Sequence, residues 1–112
     1  MSLTPAFRPT GKTVALSVVA TSHTAVTFTQ FNNDVSPYIA CINPGALPVA
    51  VAITQDGRAA ILPIDGTPGD FVLPPLMEWP ILLPCNIKDP QITAIGTGAG
   101  PTLIYATPVE RV

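Results

Sequence analysis

Proline or glycine occupies 22 of the 112 positions, and 14 of these are proline, spread along the whole chain. Proline removes a backbone donor and clashes with the preceding helical turn, while glycine weakens any helix interior. With a breaker at one residue in five, helices of ordinary length are excluded, and a helical bundle with them. The chain nevertheless folds: 47% hydrophobic and 11% charged residues with a net charge of −2 lie far from the composition of chains that cannot bury a core. The length allows a single domain.

The low charge has a second consequence. Soluble domains average about 25% charged residues, so a free surface carrying less than half of that is prone to associate. A homo-oligomer or a larger assembly is expected. The five basic residues, Arg8, Lys12, Arg58, Lys88 and Arg111, are scattered and give no stripe for phosphate contacts, which argues against nucleic acid as a direct partner. Residues 13–33, 35–55 and 90–109 lack charges, but each is interrupted by Thr, Ser, Asn, Gln, Gly or Pro, so none reads as a membrane helix. The apolar run 14–20 after Lys12 is short for a signal peptide and lacks a small-x-small cleavage site. Cys41 and Cys85 could form one bridge, and are read as two buried thiols in a reducing compartment.

Residues 1–11, with Pro5 and Pro9 and no periodicity, read as an extended arm, and residues 12–112 as one β domain. In 14–21, Val14, Leu16, Val18 and Ala20 alternate with a less apolar set, as a half-buried strand requires. Val26 and Phe28 suggest a second strand, closed by Asn32-Asn33-Asp34, and 38–43 a third. Asn43-Pro44-Gly45-Ala46 between two apolar runs predicts a hairpin. In 49–54 a large-residue face (Val49, Val51, Ile53) backs a small-residue face (Ala50, Ala52, Thr54). Asp56-Gly57 predicts another hairpin turn, followed by a short strand over 59–62. In the proline-rich excursion 63–84, the segments 71–73 and 81–83 are expected to pair as short strands. Segments 91–95 and 102–106 are expected to form the last pair across a glycine loop. About eight short strands with turns every eight to twelve residues predict an all-β fold, an antiparallel β-sandwich of jelly-roll type.

Chemical motifs are sparse. Gly11-Lys12-Thr13 lacks the first glycine of a phosphate loop, position 6 being Ala6, and Gly96, Gly98 and Gly100 precede Pro101 and a strand rather than a helix. His23 is the only histidine and reads as a turn residue, and Cys41 and Cys85 are too far apart in sequence for a zinc pair. Asp65 and Asp70 could face a cation across a turn, but turn-stabilising Asx bonds are the reading taken. No carboxylates look paired for acid-base work. No catalytic residue, metal site or cofactor is expected. For Trp79, beside Leu76 and Met77, an interfacial position and a core position capping the sandwich are both open.

The run Tyr38-Ile39-Ala40-Cys41-Ile42-Asn43-Pro44-Gly45, then Pro48-Val49-Ala50-Val51-Ala52, Leu83-Pro84, Ile92-Thr93-Ala94-Ile95-Gly96 with its glycine loop, and Thr102-Leu103-Ile104-Tyr105-Ala106-Thr107-Pro108 resemble small all-β virion proteins of tailed bacteriophages, including capsid decoration or cement proteins. The resemblance covers about two-thirds of the chain. It implies a jelly-roll-like sandwich, commonly trimeric, that sits on the virion surface and binds the major capsid protein of the head. No catalytic residue carries over. Residues 1–11 and 63–84 are then expected to supply contact, with Phe7, Arg8, Leu76, Met77 and Trp79 as the partner-binding candidates. Two rivals remain: a receptor- or carbohydrate-binding sandwich, which would want exposed aromatics, and a metal-holding β-barrel enzyme of cupin type, against which the single histidine argues.

Overall fold

A computed structural model describes residues 6–31, 36–98 and 100–111. Residues 1–5 of the expected arm, the Asn32-Asn33-Asp34 turn and Ala99 of the glycine loop lie outside the described residues. The rest form nine strands and no helix: β1 (Phe7–Pro9), β2 (Val14–Val18), β3 (Val26–Thr27), β4 (Tyr38–Ile42), β5 (Val49–Thr54), β6 (Phe71–Leu73), β7 (Ile81–Pro84), β8 (Gln91–Gly96) and β9 (Thr102–Arg111). They build two antiparallel sheets. In the first, β9 and β4 are central, β7 is one edge, and β1 and β2 lie end to end along the other flank of β9; the second has the order β3-β8-β5-β6.

The pairing is nested. Strand β5 pairs with β6, β4 with β7, β3 with β8 and β2 with β9, as in one long hairpin closed on itself. Further ladders, β4 with β9 and β5 with β8, zip the sheets. Apart from β1–β2 and β5–β6, every connection therefore crosses from one sheet to the other.

Five local expectations are corrected, the first three by that crossing. The link after β4 is no hairpin, because β4 and β5 belong to different sheets. Asn43, fully buried, holds the crossing: its Nδ2 donates to Leu47 O (2.8 Å) and Leu73 O (3.3 Å), and its Oδ1 accepts from Gly45 N (3.1 Å). Likewise β6 and β7 do not pair with each other, nor do β8 and β9. At Asp56-Gly57, Gly57 N donates to Thr54 Oγ1 and Arg58 N to Asp56 Oδ1; these side-chain acceptors turn the chain off the sheet, and β5 meets its partner β6 only after the long link 55–70. No strand follows over 59–62, because Ala60 N donates to the Ser22 hydroxyl and Ile61 N to the Asp70 carboxylate.

Alternation decides which residues meet between the sheets. Leu16, Val18, Ile39, Cys41 and Ile104 from the first sheet pack against Val49, Val51, Leu73, Ile92 and Ala94 from the second, all at 3% exposure or less. Each large aliphatic buried this way contributes about 1.5–3 kcal/mol. Cys41 and Cys85 are both free and buried in this core. Cys85 N donates to Pro37 O, which places Cys85 four residues along the strand from Cys41, about 13 Å at 3.3 Å per residue, beyond the Cα separation of about 4.4–6.8 Å that a disulfide spans. Burial pushes the Cys41 thiol up to about 12, and Cys85 adds to the shift.

The links gather at two ends. At one, Gly96 N donates to Val19 O, Leu76 N to Gly45 O and Met77 N to Asn43 O; at the other, Phe28 N donates to Pro90 O and Cys85 N to Pro37 O.

Candidate interaction surface

Strands β4 and β9 are apolar on both phases of their alternation. Their inward residues fill the core, while Ala40 and Ile42 of β4 and Tyr105, Thr107 and Val109 of β9 face outward and line a groove of about 390 Å³ on the outer face of the first sheet. Register brings Phe7 and Pro9 to the same face, opposite Arg111 and Val109, where they form one wall. Phe31 and Pro80 complete the rim. Val109 is fully buried and Ala40 only 6% exposed although both face away from the core, so the groove is a true concavity.

The wall bearing Phe31 is pinned by backbone pairing: Phe31 N donates to Thr10 O (2.8 Å) and Lys12 N to Thr29 O (3.0 Å). Gly11 permits this, since a Cβ there would lie 2.0 Å from Thr29 O. In the groove Thr13 and Thr107 satisfy each other through a 2.7 Å hydroxyl contact. Not one of the lining residues is charged. Next to the groove, Arg111 lies 6.0 Å from the Tyr38 ring centroid.

At the link end stands a second apolar feature, on residues 74–80. Leu76 is 71% exposed and Trp79 67% exposed. The segment is hydrogen-bonded at Leu76 N and Met77 N, and Asn43 N donates to the Met77 side chain at Sδ (3.3 Å). Leu76 adopts φ +58°, a left-handed conformation that a bulky side chain enters at a cost of about 1–2 kcal/mol.

The five partner-binding candidates fall into two places. Phe7 lines the groove. Arg8 points to the opposite face of β1 and forms an exposed ion pair with Glu110. Leu76 and Trp79 project at the link end, whereas Met77 turns inward and packs on the core. Trp79 is thus a surface residue and not the core cap that the sequence left open. Phe7 and Arg8 stand at the Arg111 end of β9, whereas Leu76 lies beside Gly45 toward its Thr102 end, and Pro80, next to Trp79, reaches the groove rim. Phe31, Ile42, Tyr105 and Val109 escaped the sequence reading. The signal for the last three was present as apolar residues on both phases of β4 and β9, the mark of a strand covered on both faces.

Other candidates resolve into structural roles. Asp70 accepts from both Arg58 terminal nitrogens (2.6 and 3.0 Å) and from Ile61 N (2.7 Å); the Arg58 bond holds its carboxyl below the usual range. The Asp70 carboxylate is thus engaged by arginine. His23 Nδ1 contacts Thr24 O at 2.7 Å. Among the described residues no three His, Cys, Asp or Glu side chains come together as a metal site, and no helix is long and apolar enough to cross a membrane. Compared with protein-family models, with curated proteins and with solved structures, the chain matches none.

Proposed function

We propose that this chain is a non-enzymatic virion structural protein that binds the outside of a phage head as a trimer and stabilises the shell as a decoration protein. The observation that carries the reading is the apolar tip of Leu76 and Trp79, exposed on a segment whose backbone is hydrogen-bonded at Leu76 and Met77. Large aromatic and aliphatic anchors on a preorganised segment are what an interface uses, because little ordering entropy is lost on docking. The strained φ of Leu76 fits a position kept for contact and not for stability. The nested strand pairing suits the jelly-roll reading, and the resemblance over 38–108 points to the same class of protein. A protein that binds only the assembled shell stabilises it by mass action.

Size-exclusion chromatography with light scattering tests the assembly, a trimer having three times the 11.7 kDa chain mass. Cosedimentation with empty phage heads stripped of decoration tests docking. Trp79 is the only tryptophan, so its emission should shift to the blue on binding. Leu76→Gly relieves the left-handed strain and should leave stability unchanged or higher while weakening head binding. A Trp79→Ala protein that sediments with heads as well as the parent overturns the reading.

A second reading has its own observation: Phe31, Phe71 and Trp79 are exposed at 61%, 50% and 67%, the kind of rings a receptor- or carbohydrate-binding module presents. Binding on a glycan array, abolished by Trp79→Ala, would favour it.

A further inference from the structure

We infer that Asp65-Gly66 is a self-modification site, where aspartate converts to isoaspartate as the protein ages, and that the fold shields the second Asp-Gly pair, Asp56-Gly57, from the same reaction. The inference does not depend on the virion reading, and it involves neither the groove nor the tip of Leu76 and Trp79.

The chemistry needs only the chain and water. The amide nitrogen of the glycine attacks Cγ of the aspartic acid; the N–Cγ bond forms, the Cγ–O bond breaks, and the hydroxyl leaves with the amide proton as water. The product is a five-membered succinimide ring, which water then opens. Addition at Cγ restores aspartate. Addition at the main-chain carbonyl breaks its bond to nitrogen and leaves the chain running through Cβ and Cγ as isoaspartate, with one more carbon in the backbone. A glycine after the aspartate favours the attack because it puts no side chain in its path. Both pairs meet that condition, so the fold must separate them.

At Asp56-Gly57 the attacking nitrogen is engaged, donating to Thr54 Oγ1 (3.0 Å), and the carboxylate accepts from Arg58 N (3.2 Å). The glycine is also hemmed in. A Cβ there would lie 2.7 Å from Gln91 Oε1 and 3.0 Å from Ala25 Cβ, so the ring and the extra carbon have no room. Asp65-Gly66 instead occupies the tip of a hairpin over 61–70, closed at its foot by Asp70 N to Ile61 O and near its tip by reciprocal bonds between Ile64 and Thr67 (2.8 and 3.2 Å). Residues 63–69 are all exposed. Gly66 N donates no backbone bond among the described residues, and nothing lies within 4 Å of a Cβ built on Gly66. Opening two exposed bonds at a loop tip costs little free energy, and it lets nitrogen and Cγ meet.

The test ages the whole protein for several weeks at neutral pH and body temperature, folded in buffer and unfolded in guanidinium chloride, with an unaged sample as background. Trypsin cuts after Arg58 and places the two pairs in separate peptides, 13–58 and 59–88. Electron-transfer fragmentation then locates isoaspartate by the break of its Cα–Cβ bond. In the folded sample isoaspartate at position 65 should exceed that at position 56 by about tenfold or more, and in guanidinium the two should agree within about threefold. Thr54→Val, which keeps the shape of the side chain and removes the acceptor of Gly57 N, should raise the yield at position 56 severalfold while position 65 stays as in the parent. No isoaspartate at position 65 of the folded protein, equal yields at the two positions, a preference that persists undiminished in guanidinium, or a Thr54→Val protein unchanged at position 56 would each overturn the proposal.

Discussion

The two sheets treat their outer faces differently. On the second sheet, Ala50, Ala52 and Thr93 point away from the core yet are at most 3% exposed, because the chain returns over them: Thr93 Oγ1 donates to Arg58 O (2.7 Å), and Ala60, itself 5% exposed, is tied to Ser22. Asp70 clamps this cover through Arg58 and Ile61. On the first sheet the outward residues are larger: Ile42 and Tyr105 border the groove, and Leu103 is 44% exposed. Small side chains accept a backbone pressed against them; large ones leave a trough between rims. The chain therefore covers outward residues of the second sheet with its own backbone, while larger side chains stand on the outer face of the first.

The largest effect should come from the frame that both faces share. Asn43→Ala removes three side-chain bonds made by a fully buried residue, two of them to the carbonyls of Leu47 and Leu73 in the crossing between the sheets. Its expected cost is about 3 kcal/mol, read as a fall in the urea midpoint with an unchanged slope. If the variant loses less than about 1 kcal/mol, the link is held by its apolar contacts and not by Asn43.

Next comes the cover. Asp70→Asn should destabilise by about 2 kcal/mol at neutral pH through loss of charge-assisted bonds, and hydrogen exchange should quicken at Ala60 and Ile61 before the core amides. The pH dependence has a definite sign. The Asp70 carboxyl titrates lower in the folded chain than in the unfolded one, so its contribution is complete above the unfolded value near 3.9 and disappears as pH falls through the folded value. The gap between parent and Asp70→Asn should accordingly close in acid. Because the Arg58 side chain is 46% exposed, added salt should narrow the gap too.

How far the sequence reveals this arrangement depends on which interaction is local. Alternation in 14–18, 49–54, 91–96 and 102–106 marks strands, because one residue type repeats at the pleat period and burial rewards it. The turn signals at Asn43-Pro44-Gly45, at Asp56-Gly57 and around Gly96 also mark true reversals. They do not say whether the chain returns beside itself or across to a facing sheet, because the φ/ψ values at a reversal carry no information about the next strand's partner. The pairing of β2 with β9 is invisible to any local window. At the surface, the exposed apolar segment around Trp79 stands out in composition, but the inward turn of Met77 depends on Asn43, and the groove depends on Phe31 reaching it from the link after β3. Those are tertiary facts without a sequence period.

The sharpest comparison of the two faces uses matched changes on each, and its effects are the smallest. Ala52→Leu adds three carbons where the second sheet meets its own cover, and the space is already filled at 3% exposure. Overpacking should cost about 1–2 kcal/mol, and part of that should be recovered when the cover is loosened by Asp70→Asn, giving a non-additive double mutant. Leu103→Ser makes the converse change on the first sheet, removing a large apolar side chain that is 44% exposed. It should alter stability by no more than about 0.5 kcal/mol, as surface substitutions do, and thermal unfolding of the two variants side by side measures the difference. A cost for Leu103→Ser as large as that for Ala52→Leu would mean the first face is covered in solution by another copy of the chain, and dilution of the protein would then reduce that cost. Equal, small costs at both positions would instead mean that the segment clamped by Asp70 does not press on the second sheet.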